Sequence, residues 1–290
     1  MLTPSSLRIL DLGRMPYAGC LAMQREIHAQ VVADELPQSV LLVEHDPVIT
    51  ISRRKTATQH LLASRDQLAK LGIDVQETDR GGDVTYHGPG QLVAYPIIRF
   101  APLQLNVSRY MRLLEQIITD AIAPFGITGE RDECATGVWV NLNAMHNGAG
   151  ADESELLRKH ERKLQQRDER EQYDDADPNL PQPLPQRKGS QTCHIKSTAK
   201  IAALGVRLSR NVSMHGLALN VTTNLSHFNT IVPCGLINRS VTSMQQLLGD
   251  STPTMEQVKA SLSLALERHL SPPPLSEMDS AQWVPRTTPE

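Results

Sequence analysis

The sequence has no paired cysteines, no long apolar run and no excess of charge of either sign, and each absence excludes a class of function. Its four cysteines stand singly without a CxxC pair, which is typical of free thiols in a reducing compartment rather than of disulfide-stabilised secreted domains. No apolar run approaches the ~18 residues of a membrane-spanning helix. The formal net charge of −3 provides no field that would gather nucleic acid. We therefore expect a soluble globular protein with a cysteine available for chemistry.

The order of apolar patterns along the chain predicts the fold class. Apolar residues at helical spacing predict helices at residues 17–31, 107–122 and 255–270. Short β-branched and aliphatic runs predict strands at residues 40–43, 48–51, 73–75, 92–98, 137–142, 200–207 and 213–221. The first two runs are expected to pair around the turn at 44–47, and the next two to pair across a glycine-rich stretch. Because helices and strands do not alternate strictly, we predict an α+β fold, a mixed sheet packed by helices.

One internal segment differs sharply in composition from the rest of the chain. Residues 152–175 are dominated by charged residues and glutamine, and residues 177–185 are rich in proline. With few apolar side chains to bury, such a segment cannot offset the entropy lost on ordering. We predict a single domain over 1–290, with a polar, disordered insertion at about 143–198 between two neighbouring strands and a short flexible tail from about 271.

The stretch from Arg80 to Gln91 contains four glycines and a proline and is the first candidate for a binding site. Gly81 and Gly82 would let the backbone approach a ligand closely, although a long hairpin with glycines at its turns is an equally good interpretation of the composition. The stretch lacks the GxxxxGK[ST] spacing that cradles a nucleotide phosphate. A binding loop and a plain hairpin both remain open from composition alone.

Three single residues are further candidates for chemistry. Cys234 lies between a proline and a glycine, where an exposed thiol could act as a nucleophile if a cation lowered its pKa. Lys200 begins an apolar run, and His215 interrupts another. Each has a structural alternative: a buried small hydrophobe for the cysteine, a strand-end side chain for the lysine and a core histidine for His215.

The stretch RGGDVTYHGPGQ from Arg80 to Gln91 resembles the signature of the lipoyl(octanoyl) transferases, the LipB family. The resemblance continues, in the order of the family, through residues 136–140, 200–207, 214–220 and 228–235, and leaves out only the insertion and the two ends. One departure is Ser52, where the family often has glycine, and its cost is expected to be local. The resemblance implies a fold like the catalytic domain of biotin and lipoate protein ligases.

The resemblance also implies an activity and the residues that carry it. The expected reaction moves an octanoyl group from octanoyl-acyl carrier protein, through a cysteine thioester, to a lysine of lipoyl domains, the first step of protein lipoylation. Cys234 would be the nucleophile, and Lys200 would lower the thiol pKa and act as acid and base. The implied substrate-binding residues fall in three segments that should line one pocket: Arg80, Gly81, Gly82, Asp83, Val84, Thr85, Tyr86 and His87; Ala203, Leu204 and Gly205; and Gly216, Leu217 and Ala218.

The implied partners are octanoyl-acyl carrier protein as donor, with lipoyl domains of 2-oxoacid dehydrogenase E2 subunits and the glycine cleavage H protein as acceptors. No cofactor, ATP or metal is expected. Three alternatives are an ATP-dependent lipoate or biotin ligase, a non-catalytic protein that binds lipoyl domains, and a metal site built from Cys134, Cys193, His194 and His215. Because polar, proline-rich insertions are commoner in eukaryotes, we expect a mitochondrial location, with a bacterial cytoplasm as the alternative.

Overall fold

The fold is described from a computed structural model, in residues 7–54, 57–132, 135–143, 198–232 and 239–271. Contacts divide the chain into one unit of Met1–Val140 with Ala199–Glu290 and a second of Asn141–Thr198. Almost all of the second unit and the tail after residue 271 lie outside the described residues, so the predicted insertion and tail stay predictions. Apart from residues 141–143 and 198, all of the described residues belong to the first unit.

The main sheet has eight strands within the described residues: β1 (Arg8–Met15), β2 (Ser39–His45), β6 (Gln91–Ile97), β7 (Glu130–Arg131), β8 (Val138–Asn141), β9 (Thr198–Ser209), β10 (Val212–Asn220) and β11 (Ser240–Val241). Seven of them follow the order β1-β2-β6-β10-β9-β8-β7, and β11 pairs with β9 beside this path. Pairing is parallel for β1-β2 and β11-β9 and antiparallel for β2-β6, β6-β10 and β10-β9. The strands predicted at 137–142, 200–207 and 213–221 are confirmed as β8, β9 and β10, which are neighbours in this order.

A second sheet of three strands has the order β4-β3-β5, formed by Asp74–Thr78, Val48–Ser52 and Val84–His87. The predicted pairing of 40–43 with 48–51 is wrong, because β2 lies in the main sheet and β3 in this one. The pairing of 73–75 with 92–98 is wrong for the same reason. All five residues of β3 are buried, as expected of a central strand covered on both faces rather than of a hairpin arm.

The strand β5 lies inside the glycine-rich stretch from Arg80 to Gln91, for which the composition left a binding loop and a plain hairpin open. Its side chains alternate between two surfaces, as the period of a strand requires. Val84 and Tyr86 pack in an apolar cluster with Phe228, whereas Thr85 and His87 face a cavity.

The predicted helices are confirmed as α1 (Tyr17–Val32), α3 (Val107–Ile122) and α5 (Met255–Leu270); two short helices are α2 (Arg65–Lys70) and α4 (Met244–Leu248). The Asn106 side chain caps α3, and Thr254 with Gln257 forms a capping box on α5. Chain direction changes after α3 at Gly126, whose φ of 77° suits glycine. In the described parts of the chain, no helix has the length and apolar character needed to cross a membrane.

Candidate active site

A cavity lies between the small sheet and strands β6, β9 and β10 of the main sheet. It holds about 470 Å³ of empty space, counted with its open mouth. Its lining includes residues of all three segments implied by the family resemblance: Arg80, Gly82, Asp83, Thr85, His87, Ala203, Leu204, Gly205, Gly216, Leu217 and Ala218. Three residues of the first segment do not line it. Val84 and Tyr86 point into the core, and Gly81 packs against β9.

The glycine-rich segment is held over β9 by short polar contacts. The Gly81 N–H donates to the Val206 carbonyl at 2.9 Å. The Arg80 guanidinium donates to the Thr50 carbonyl at 3.0 Å and to the Thr50 hydroxyl at 2.9 Å. An added Cβ on Gly205 would lie 2.8 Å from the Gly81 carbonyl oxygen, so this close approach requires glycine. We call this segment the glycine-rich wall of the cavity: Gly81 and Gly205 allow it to approach β9 closely, and Arg80 anchors it to Thr50.

Two side chains behind this wall complete its support. The Ser52 hydroxyl donates to the Gly82 carbonyl at 3.0 Å. The Asp83 carboxylate is buried and accepts from His60 Nδ1 at 2.9 Å and from the Val84 N–H at 2.8 Å. The departure from the family pattern at Ser52 thus has a local contact of its own.

Lys200 lies on β9 at the end of a second, smaller cavity. Its side chain is buried, and Nζ donates to the Thr136 carbonyl at 3.0 Å and lies 4.7 Å from the centre of the Trp139 ring. We call this region the lysine end; it is lined by Lys200, Gln91, Asn220, Phe228 and Val241. Thr85, Ala203 and Ala218 line both cavities, so the two adjoin.

A buried glutamate that sequence reasoning missed supports the lysine end. Glu115 is 1% exposed, accepts the Gly137 N–H at 3.2 Å, and pairs with Arg112 at 2.8 Å and Arg131 at 3.4 Å. One peptide group thus joins the two: its carbonyl, from Thr136, accepts from Lys200, and its N–H, from Gly137, donates to Glu115. A signal existed in the sequence, because Glu115 lies on the apolar stripe of α3.

Cys234 lies outside the described residues, and the described chain flanks it at Val232 and Arg239. The Val232 N–H donates to the His60 carbonyl at 2.8 Å. On the other side, the Arg239 guanidinium lies 4.2 Å over the Trp139 ring and pairs with Asp132. Strand β11 follows directly and pairs Val241 with Lys200. Trp139 is therefore shared by Lys200 and by Arg239.

The first cavity ends in a cluster of buried rings, which we call the histidine end: Tyr17, His45, His87, Tyr95 and His215. Burial lowers the pKa of His87 to about 3 and, less strongly, lowers the pKa values of His45 and His215. His215 donates through Nε2 to Asp79 at 2.8 Å and has a φ of 59°. Of the alternative metal site only His215 is described, and within the described residues no group of three or more metal-ligating side chains occurs.

Comparisons with known proteins identify the family of the chain. A family model for the lipoyl protein ligase A/B catalytic domain matches residues 16–267. The octanoyltransferase of Chloroflexus aggregans is 36% identical, over 87% of this chain and 89% of that protein. The octanoyltransferase of Syntrophobacter fumaroxidans is 35% identical, over 97% of this chain and 94% of that protein. Both relatives are bacterial, so they do not support the predicted mitochondrial location.

Solved structures confirm the predicted fold class. A lipoate-protein ligase A bound with ATP gives a TM-score of 0.56 at 12% identity, covering 91% of this chain and 85% of that one. A bi-partite lipoate protein ligase from Thermoplasma acidophilum gives 0.57 at 12% identity, covering 91% and 83%. At this identity the likeness concerns the fold alone. Taken with the sequence relatives, it leads to one conclusion: the chain belongs to the lipoyl protein ligase A/B catalytic-domain family and, within it, to the LipB-type octanoyltransferases.

Proposed function

We propose that this acyltransferase carries the octanoyl group as a thioester on Cys234 between an octanoyl-acyl carrier protein and the lysine of a lipoyl domain. The observation that carries the proposal is the buried Lys200 at the end of the smaller cavity, which adjoins the larger one, with its Nζ held by the Thr136 carbonyl and the Trp139 ring. A thiol is a weak nucleophile until it loses its proton, and a basic neighbour is the usual activating group.

In the first half-reaction Lys200 takes the proton of the Cys234 thiol. The thiolate attacks the carbonyl carbon of the donor thioester, the bond to the carrier's sulfur breaks, and that sulfur leaves with the proton that Lys200 returns. One thioester replaces another, so the step is nearly balanced in energy and requires no ATP.

In the second half-reaction the neutral ε-amine of the acceptor lysine attacks the carbonyl of the Cys234 thioester. Lys200 accepts the proton that the amine loses, and the Cys234 sulfur leaves as a thiolate. An amide is more stable than a thioester, so this step runs downhill. A single group close to both the sulfur and the attacking nitrogen would serve both halves.

The acyl chain would lie in the larger cavity, against the apolar wall formed by Val93, Leu204, Leu217 and the alanines between the two cavities. At roughly 0.8 kcal/mol for each buried methylene, an octanoyl chain would gain several kcal/mol over a short acyl group. Pocket depth would then set the preferred length. The bacterial origin of the relatives supports a bacterial cell as the location of this reaction.

Intact mass after incubation with octanoyl-acyl carrier protein, without ATP, tests the proposal. We expect an octanoyl adduct on the unmodified protein, no adduct on Cys234→Ala and a slow one on Lys200→Ala. Cys20→Ala is the matched control, because Cys20 is buried and burial raises the pKa of its thiol to about 12. This variant should be acylated at the normal rate.

The same assay separates the proposal from a ligase. A protein that forms no adduct with the carrier thioester, or forms one that survives Cys234→Ala, would contradict the cysteine mechanism. Lipoyl-domain modification that requires free octanoate and ATP would identify an ATP-dependent ligase instead.

A further inference from the structure

The hydrogen bonds at the histidine end fix which ring nitrogens carry protons. The Gln91 amide donates through Nε2 to the Tyr86 carbonyl at 3.2 Å and to Asn220 Oδ1 at 2.9 Å, so its Oε1 is an acceptor. His87 Nδ1 lies 2.7 Å from that Oε1 and therefore carries the proton. Because the lowered pKa keeps His87 neutral at physiological pH, its Nε2 bears a lone pair.

The same reasoning applies to the neighbouring rings. His45 Nδ1 lies 3.0 Å from the Met15 carbonyl and must donate to it, so His45 Nε2 accepts from the Tyr95 hydroxyl at 2.8 Å. The Tyr95 oxygen therefore keeps its lone pairs. His215 donates from Nε2 to Asp79, which leaves a lone pair on Nδ1 of the neutral ring.

Within the part of the chain that the structure describes, no donor faces the lone pairs of the two histidines. Among the residues that the structure describes, neither Nε2 of His87 nor Nδ1 of His215 has a hydrogen-bond partner. His87 is 6% exposed and lines the cavity, as do Tyr95 and His215. These nitrogens belong to residues that line the cavity and have no donor among the described residues, so a donor that enters the cavity would be bound favourably.

His215 adds an independent sign of function at this end. Its φ of 59° lies in the left-handed region, in the middle of β10, where a non-glycine residue costs free energy that the surrounding structure must offset. Strain of this kind collects at ligand sites, because it holds a side chain in a position that relaxed backbone would not give. His215 combines this strained backbone with a hydrogen bond to Asp79 and a position in the lining of the cavity.

We infer that the histidine end is a subsite for a hydrogen-bond donor at the far end of the acyl chain, so that the enzyme also accepts acyl groups with a terminal hydroxyl. This inference rests on the proposed function, since it takes the acyl carbonyl to lie at the lysine end. The recognising atoms are Nε2 of His87, the hydroxyl oxygen of Tyr95 and Nδ1 of His215.

The dimensions of the sheet fit an acyl chain that reaches this subsite. Lys200 is on β9, and His45, which accepts a hydrogen bond from the Tyr95 hydroxyl, is on β2, three strands away across β10 and β6, which corresponds to about 14 Å between strand axes. At about 1.2 Å for each bond of an extended chain, eight carbons span about 9 Å and ten carbons about 11 Å. Side chains from both ends shorten the gap, so a hydroxyl on the eighth to tenth carbon would come within reach.

The test compares pairs of carrier-protein thioesters in which a terminal hydroxyl replaces a terminal methyl: 8-hydroxyoctanoyl with nonanoyl, and 10-hydroxydecanoyl with undecanoyl. The measured quantity is the ratio of kcat/KM within each pair, which cancels any loss of folded protein. An apolar pocket would reject the hydroxyl by up to about 100-fold. We expect a ratio above one for at least one pair, and a fall of at least about tenfold in that ratio for His87→Phe.

His28→Phe is the matched control, because His28 is a largely buried ring that forms a hydrogen bond with the Ser209 carbonyl outside the cavity. The kcat/KM ratio of this variant should equal that of the unmodified protein. If His87→Phe does not fold, Tyr95→Phe replaces it. Ratios below one for both pairs, as expected if a trapped water satisfies the lone pairs, would overturn the inference. A ratio that does not respond to either substitution would overturn it too. Failure of octanoyl transfer itself would instead contradict the proposed function.

Discussion

The lysine end and the histidine end are both buried, yet the first contains charged side chains and the second neutral polar ones. The lysine end collects formal charges, with Lys200 and Arg239 around Trp139 and the carboxylate of Glu115 one peptide group away. At the histidine end burial lowers the pKa of each imidazole, and the rings stay neutral with fixed lone pairs. The contrast separates two tasks. Proton transfer needs an ionisable group that can take up and release a proton, whereas recognition of an acyl chain needs a neutral surface.

The largest effect is expected for Lys200→Met, which removes the acid and base of the lysine end but keeps much of the side-chain volume. Octanoyl transfer should fall by about 10²- to 10⁴-fold, the usual contribution of a positioned acid or base. Lys259→Met is the control, since Lys259 is on α5, away from the cavity, and pairs with Asp11 of β1. Single-turnover rates of both half-reactions measure the effect. An unchanged rate for Lys200→Met would remove the contrast between the two ends.

Glu115→Ala should have the next largest effect, through the Thr136–Gly137 peptide. The substitution leaves the buried Gly137 N–H without its acceptor and removes the partner of Arg112 and Arg131, so the free energy of unfolding should fall by about 3 kcal/mol. With Lys200 less well held, kcat per folded molecule should fall about tenfold.

Glu115→Gln and Asp120→Ala sharpen that test. The glutamine oxygen can still accept the Gly137 N–H, so most of the activity should return. Asp120 is on the same helix but pairs with His269 at a partly exposed site, and its loss should cost about 1 kcal/mol or less. Equal activity losses for alanine at both positions would show that Glu115 acts only on general stability.

The sequence predicts the elements around the site much better than their assembly. Helices α1, α3 and α5 follow from local apolar periodicity, which needs no knowledge of distant residues. The pairing of β2 with β3 failed because two short apolar runs beside a turn look the same whether they join one sheet or enter two. Pairing is decided by contacts between residues far apart in the sequence.

The same limit explains why sequence reasoning named His87 and His215 singly but missed Tyr17, His45 and Tyr95 and did not bring the five together. The histidine end takes its members from α1, β2, β5, β6 and β10, and nothing in the local sequence of any one element indicates the other four. The left-handed backbone of His215 has no glycine to mark it. Glu115 was missed as well, although its place as an acidic residue on an apolar helix face was a local signal.

A pH titration of stability tests the neutral character of the histidine end. His87 has an ordinary pKa of 6.5 when unfolded and about 3 when folded, so below pH 6.5 the unfolded chain binds a proton that the native protein does not. The stability from this group is complete above pH 6.5 and falls with decreasing pH, by about 2 kcal/mol between pH 6.5 and about 5. Urea unfolding across this range should show the slope.

His87→Phe should flatten that slope, because the variant has no imidazole to titrate at this position. Tyr95→Phe is the control, since it removes only a hydroxyl beside the same rings and should keep the pH dependence. A slope that is equally steep in His87→Phe would assign the acid sensitivity to other groups and weaken the contrast with the lysine end.

The smallest effect is expected for Ser52, behind the glycine-rich wall that spans the cavity between its two ends. Ser52→Ala removes the hydrogen bond to the Gly82 carbonyl and should cost about 1 kcal/mol of unfolding free energy, and Ser52→Gly slightly more, because glycine loses more backbone entropy in a strand. Octanoyl transfer should change by less than about threefold, since Gly81 and Arg80 still hold the wall to β9 and Thr50. Urea unfolding and steady-state kinetics measure the two quantities separately. A loss of activity larger than the loss of stability explains would mean that the wall itself, and not only the groups at the two ends, sets the rate.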